Sequence, residues 1–170
     1  MMRRARPKAG AIIPVATKQA GVRVPARLVA DIRRLIEEAR TQTARAVNTG
    51  LVLLNWSIGQ RIRKEILKNA RADYGQRIVV TLSRQLRAEY GEGFAEKNVW
   101  RMIQLAEAYP NAGILVTLSR ELTWSHFVAL LPLKDRLKRE FYAEMCRVER
   151  WSVRTLRQQG EALVEISDAT

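Results

Sequence analysis

Histidine and cysteine are almost missing from this chain: His126 and Cys146 are the only ones in 170 residues. That excludes a zinc site built from several cysteines and histidines, and any disulfide within the chain. A Cys–His dyad would need the fold to bring the two together. A lone cysteine suits a reducing compartment, so a cytoplasmic protein is expected. Long apolar runs are lacking too. The longest uncharged run, Ala46–Gln60, has 15 residues and contains Asn48, Gly50, Asn55 and Gly59. It is too short and too polar to span a bilayer, so no membrane partner is expected. Acidic residues are scarce: 17 against 30 Lys and Arg, a net charge of +13, with 23 arginines to 7 lysines. This balance favours a polyanionic partner, and the arginine excess favours bidentate contacts with phosphate or guanine. The charge is uneven, however. Residues 1–27 hold seven basic residues and no acid, which leaves +6 for the remainder.

The length and the apolar fraction of 47% suit one globular domain with a tail. Met1–Val24 is rich in Arg, Lys, Ala, Gly and Pro without periodicity, and reads as a basic disordered arm over residues 1–24. Its apolar run is short and broken by Pro14, which opposes a signal peptide. Pro25 opens a helix with a stripe of Leu28, Ile32, Leu35, Ile36 and Ala39, reaching about Arg45. A second helix is expected from about Ala46 to Asn69, with Val47, Leu51, Leu54, Ile58, Ile62 and Ile66 on its inner side. Gly59 costs about 1 kcal/mol against alanine there, so it points to the close approach of another backbone. Asp73-Tyr74-Gly75 ends this pair, and Ile78, Val79, Leu82 and Leu86 mark a short helix Arg77–Tyr90.

After Pro110-Asn111-Ala112-Gly113 come a short helix Ile114–Glu121 and another, Trp124–Leu131, capped by Thr123. Leu133, Leu137, Phe141, Met145 and Val148 outline a basic amphipathic helix to Arg150. Ser152 caps a last helix, Val153–Ile166, and residues 161–170 form a C-terminal tail. No credible period-2 strand occurs. The expectation is an all-α, multi-helix domain over residues 25–160.

The stretch Gly93–Tyr109 carries Val99, Met102, Ile103, Ala106 and Tyr109 at helical spacing, with Lys97, Asn98, Arg101 and Gln104 on the other side. Each of these four can hydrogen-bond a base edge or a phosphate. Joined to Arg77–Tyr90 by Gly91-Glu92-Gly93, the stretch has the outline of a helix–turn–helix reader, and an ordinary helical hairpin is the competing reading. An echo supports a second unit: Thr81-Leu82-Ser83-Arg84-Gln85-Leu86 and Thr117-Leu118-Ser119-Arg120-Glu121-Leu122 differ at one position. In that unit Ser125 and His126 contact phosphate or base, or else Trp124 is a core anchor and His126 a hydrogen-bonded structural residue. A hydrolase is discounted, since Ser125 and His126 are neighbours on a helix and do not face each other. Trp56, Trp100, Trp124 and Trp151 offer stacking platforms for bases, but they lie on four segments and core packing is the stronger reading. Trp100, off the apolar stripe, is the exception.

Taken in order, Val47-Asn48, Trp56-Ser57-Ile58-Gly59, Tyr74-Gly75, Leu82-Ser83, Gly93-Phe94 with Asn98 and Met102, Trp124-Ser125-His126, Arg139-Glu140-Phe141-Tyr142, and Trp151-Ser152 with Leu156 resemble the N-terminal domain of the YhcG-like family. The resemblance runs from about Val24 to Gln159. It implies a helical domain that accompanies a C-terminal nuclease domain of the PD-(D/E)XK type. That family usually places Ser after the Gly-Phe pair as cap of the reader helix. Ala95 stands there here and forfeits about 1 kcal/mol. Such nucleases need an acid two residues before a lysine, and a further Asp, to hold Mg²⁺. None of the seven lysines has an acid at that position, and the chain stops at Thr170, where the nuclease domain would begin. The resemblance therefore implies a non-catalytic DNA-binding domain with no cofactor or metal. Lys97, Asn98, Arg101 and Gln104 would face DNA, and Arg84, Arg87, Ser125 and His126 would touch its backbone. The alternative is an interaction module, a homo-oligomer or a dock for a separate nuclease subunit, using residues 27–69 and the basic helix 134–150.

Overall fold

The computed structural model describes residues 25–67 and 72–168, with side chains described up to residue 160 apart from residue 72. The basic arm lies outside the described residues. Two units divide the chain, one up to Ile36 and one from Glu37 onwards. Of the first, the described part is the opening of α1, where Leu28, Ile32, Leu35 and Ile36 are exposed. The second unit holds everything that follows.

Helix α1 runs without a break from Ala26 to Leu67. The expected division near Arg45 is absent because nothing between Thr41 and Thr49 stops a helix. Thr43 turns its hydroxyl back to the Ala39 carbonyl at 2.9 Å without breaking the helix, and Asn48 spends its side chain elsewhere. Its Nδ2 donates to the carbonyls of Ser119 (2.7 Å) and Leu122 (2.9 Å). Next come α2 (Ala72–Tyr90), a 3₁₀ turn (Glu92–Phe94), α3 (Glu96–Ala108), α4 (Ala112–Leu118), α5 (Trp124–Leu130), α6 (Arg136–Val148) and α7 (Val153–Asp168). Among the described residues no strand occurs. The chain is all-α, as its sequence pattern requires.

Two groups of buried side chains hold the body together, and α1 and α3 contribute to both. The larger joins Val52 of α1 to Leu105 and Tyr109 at the end of α3, Leu115 and Leu118, Phe127 and Leu130, Tyr142 and Cys146, and Leu156. The smaller joins Ile62 of α1 to Val79 of α2 and Val99 and Ile103 of α3. Between the two groups the helices touch at Gly59. A Cβ built there would lie 1.9 Å from the carbonyl oxygen of Met102. The close approach inferred from this glycine is therefore present, and its neighbour is α3.

The ends of α3 and α4 are finished by side chains of α1. Trp56 Nε1 donates to the Tyr109 carbonyl at 2.8 Å, beside the bonds of Asn48 to the end of α4. Arg139, although charged, is buried. It donates to the carbonyls of Leu133 (3.0 Å) and Ala108 (3.3 Å), and its guanidinium lies 5.5 Å from the centre of the Tyr109 ring. The Tyr109 hydroxyl has no hydrogen-bond partner among the described residues, and burial pushes its pKa up to about 12 against the pull of Arg139.

Two expected apolar faces are corrected. Val47, Leu51 and Leu54 are more than half exposed and Val52 is buried in their place, whereas Ile62 is buried and Ile58 and Ile66 pack against the smaller group as expected. Helix α6 buries Arg139, Tyr142, Ala143 and Cys146, while Leu137, Phe141 and Val148 are exposed. In both helices apolar residues occupy more than one side, so spacing alone does not select the packed one. The hexapeptide echo is not structurally equivalent either. Thr81–Leu86 lies wholly within α2, whereas the second copy leaves α4 after Leu118.

Two substitutions test this frame. Gly59→Ala is expected to lower stability by about 3 kcal/mol, the upper end for overpacking, because backbone cannot swing aside as a side chain does. Gly50→Ala, with open space at its Cβ, is expected to raise it by about 0.5–1 kcal/mol. Denaturant midpoints moving in the same direction for both would contradict the assigned contact. Ala95→Ser is expected to add about 1 kcal/mol. Ala95 already has the extended N-cap conformation (φ −56°, ψ 148°) and lacks only a side-chain acceptor. A midpoint unchanged by that substitution would refute the missing cap.

Candidate nucleic-acid interface

Helices α2 and α3 meet through a short turn whose conformation is tied down at several points. Gly91 has φ +91°, a left-handed value that glycine adopts without strain, and its N–H donates to the Arg87 carbonyl at 2.9 Å. The buried Ser83 hydroxyl donates to the Phe94 carbonyl at 2.9 Å, which joins the middle of α2 to the far side of the turn. The rings of Tyr90 and Phe94 pack with centroids 5.8 Å apart. Ser83 was not expected to act here. It falls in the echo hexapeptide, and the second copy's serine, Ser119, is buried too, with its hydroxyl 3.2 Å from Thr49 Oγ1.

With the turn fixed, α3 presents its two sides as its spacing requires. Val99, Met102, Ile103, Leu105 and Ala106 are buried, and Tyr109 follows them into the core. On the outer side Lys97 and Gln104 are exposed and Asn98 and Arg101 half-buried. Lys97, Arg101 and Gln104 line one shallow groove of about 560 Å³ together with Glu96 and Trp100. Arg84 and Arg87 line a neighbouring groove of about 500 Å³ with Ser83, Glu92 and Glu96. Glu96 borders both. Six of the expected site residues thus gather on one surface of the α2–α3 pair.

The electrostatics of that surface are mixed. Four cations, Arg84, Arg87, Lys97 and Arg101, stand with two acids, Glu92 and Glu96. Arg87 donates to one Glu92 oxygen through Nε (2.8 Å) and Nη2 (2.6 Å), so its charge is already matched. Arg101 Nη1 donates to Asn98 Oδ1 at 3.0 Å. That bond takes up one of the two lone pairs of Asn98 Oδ1 and leaves mostly donors on the pair, an arrangement suited to phosphate oxygens or to the acceptor edge of guanine. Adenine, which needs an acceptor and a donor from one amide, is served less well. Among the described residues Lys97 and Arg84 make no ion pair. The acids in this surface had no signal of their own in the sequence, because a charge count does not give neighbours.

Ser125 and His126 lie elsewhere, on α5, whose contacts run to α6 and α7. Ser125 is exposed. His126 Nδ1 lies 3.1 Å from the Thr123 N–H and 2.9 Å from its hydroxyl, and Nε2 lies 3.0 Å from the Trp151 carbonyl. A neutral ring with its proton on Nε2 satisfies all three contacts. His126 therefore closes the N-terminal cap of α5 and ties it to the entry of α7. The four tryptophans are all partly buried. Trp56, Trp124 and Trp151 pack against the larger group and Trp100 against the smaller.

A larger cleft of about 740 Å³ lies between the end of α3 and α6. Its buried cation, Arg139, is committed to backbone carbonyls, and its rim sets Arg136 among Glu107, Glu140 and Glu144. A polyanion gains little there. Among the described residues no group of three or more His, Cys, Asp or Glu could hold a metal ion, and no helix is long and apolar enough to cross a membrane.

A family model matches most of the chain. The model described as the DUF1016 N-terminal domain, which is the YhcG-like N-terminal domain, covers residues 31–164, and no nuclease domain is detected. No curated protein and no solved structure matches the chain. The matched region spans α2, α3 and the turn between them, and most of the chain. The chain belongs to the DUF1016 N-terminal domain family.

Proposed function

We propose that this chain is a non-catalytic DNA-binding domain that holds nucleic acid through the outer side of α3 and the adjoining side of α2. The observation that carries the reading is the Arg101–Asn98 pair between Lys97 and Gln104, a row of donors on the outer side of one helix beside Arg84, which has no ion-pair partner among the described residues. Helix, fixed turn and helix supply the rigid support that a groove-reading element needs. Lys97, Arg101 and Arg84 contact phosphate, and Asn98 and Gln104 lie where base edges come within reach. Arg87 contributes once phosphate displaces Glu92, an exposed pair that costs little to open. Ser125 and His126 are left out of this surface, because the ring of His126 is engaged within the fold and its helix packs elsewhere. The seven basic residues among positions 1–27 add affinity without sequence preference. In a family named for an N-terminal domain, such a unit positions DNA for chemistry performed by another domain or subunit.

The test is a fluorescence-anisotropy titration with duplex DNA across a range of salt concentrations. Affinity is expected to fall steeply as salt rises, and Lys97→Ala with Arg101→Ala to flatten the logarithmic slope by about two units. A chain that does not bind at low salt, or a double variant with the parental slope, would overturn the assignment.

A further inference from the structure

The row of polar side chains on the outer side of α3 has a tryptophan in its middle. Lys97, Trp100, Arg101 and Gln104 stand at i, i+3, i+4 and i+7, the spacing that puts four residues on one side of a helix. Trp56, Trp124 and Trp151 all pack against the larger apolar group. Trp100 differs from them. It is only partly buried: it packs against the smaller group, and it also lines the groove with Lys97, Arg101 and Gln104. The indole is thus braced from the core and presented among cations.

An indole in that position does little for the edges of paired bases, which are read by hydrogen-bonding groups. Within a duplex the face of each base is covered by its neighbours in the stack. A base without a pair exposes its face, and stacking on an aromatic side chain tolerates any base. The charges agree with this. Glu96 borders both the Lys97–Arg101 groove and the Arg84–Arg87 groove, so a surface wide enough for the two backbones of a duplex has a carboxylate within it. A single backbone fits beside Lys97 and Arg101 alone.

We infer that the groove of α3 is a single-strand site, in which an unpaired base of DNA stacks on Trp100 while Lys97 and Arg101 hold the adjoining phosphates. The inference rests on the proposed nucleic-acid-binding role of the α2–α3 surface and adds the form of DNA that the surface takes.

Fluorescence anisotropy of the full chain with labelled oligothymidylate, and with a duplex of the same length, tests it. Moderate salt is used so that the basic residues among positions 1–27 contribute less. The single strand is expected to bind about tenfold more tightly than the duplex, within the range of one stacked base. Trp100→Leu, which keeps an apolar side chain against the smaller group, is expected to remove that preference by weakening the single strand alone, with unchanged helical circular dichroism. Trp100→Phe keeps an aromatic ring. It is expected to retain the preference and to lose most of the quenching of tryptophan emission that oligothymidylate causes in the parent. A duplex bound as tightly as the single strand, a preference that survives Trp100→Leu, or quenching undiminished in Trp100→Phe overturns the inference and leaves the proposed DNA binding standing. A chain that binds neither form overturns both.

Discussion

The contact on which the rest of the body depends is backbone against backbone, α1 at Gly59 against α3 at Met102. Two helices with ordinary side chains between them stand about 8–10 Å apart. Removing the Cβ at one position lets them come closer, and that has two effects. Side chains on either side of the glycine, Val52 and Ile62, pack into separate apolar groups to which α3 also contributes. The approach also fixes the rotation of α3 about its own axis. With the Met102 carbonyl against α1, the buried side of α3 has no freedom, and Lys97, Arg101 and Gln104 are held outward by the same constraint.

That proximity also settles the polar accounting. The last carbonyls of a helix have no partner within it, and a glycine turn often meets the need. Tyr109 follows α3 with φ −128° and cannot form such a turn. Its carbonyl is instead met by Trp56, three residues before Gly59, and that of Ala108 by Arg139. Asn48 does the same for the end of α4. A carbonyl left buried and unpaired costs about 1–3 kcal/mol, so these side chains are structural requirements and not decoration of a helix surface. Trp56 and Asn48 make α1 the element against which α3 and α4 are finished, with Arg139 of α6 completing the end of α3.

What the residues revealed in advance divides along physical lines. Local chemistry was legible: the buried side of α3, the caps at Thr123 and Ser152, the missing cap at Ala95 and the purpose of Gly59. Each depends on spacing within one turn, or on the cost of one residue in a helix. The packed side of α1 around Val47–Leu54 and that of α6 were not legible, because both helices are apolar on more than one side and only tertiary packing chooses. Arg139 was hidden for a related reason, since its burial follows from carbonyls that the fold delivers from two other segments. At the candidate site, Lys97 and Gln104 stand where helical spacing put them. The commitment of both His126 nitrogens, and the insertion of Glu92 and Glu96 among the cations, are facts of neighbourhood that no linear pattern contains.

Those two acids shape what the surface can do on the proposed reading. Four cations and two carboxylates leave an excess of two, while residues 1–27 alone carry seven positive charges. Counterion release scales with the number of phosphates neutralised, so the larger share of salt-dependent affinity belongs to the N-terminal segment and the smaller to the helices. A weak, mixed surface is poorly suited to supply affinity and better suited to supply orientation. Glu96, on the border of the two grooves, repels any phosphate that crosses between them. A strand is thereby kept to the Lys97–Arg101 side or the Arg84 side. On the proposed reading the charge of residues 1–27 supplies most of the attraction, and α2 and α3 supply position. The Gly59 contact matters for function on that reading because only the second of these depends on where the helix points.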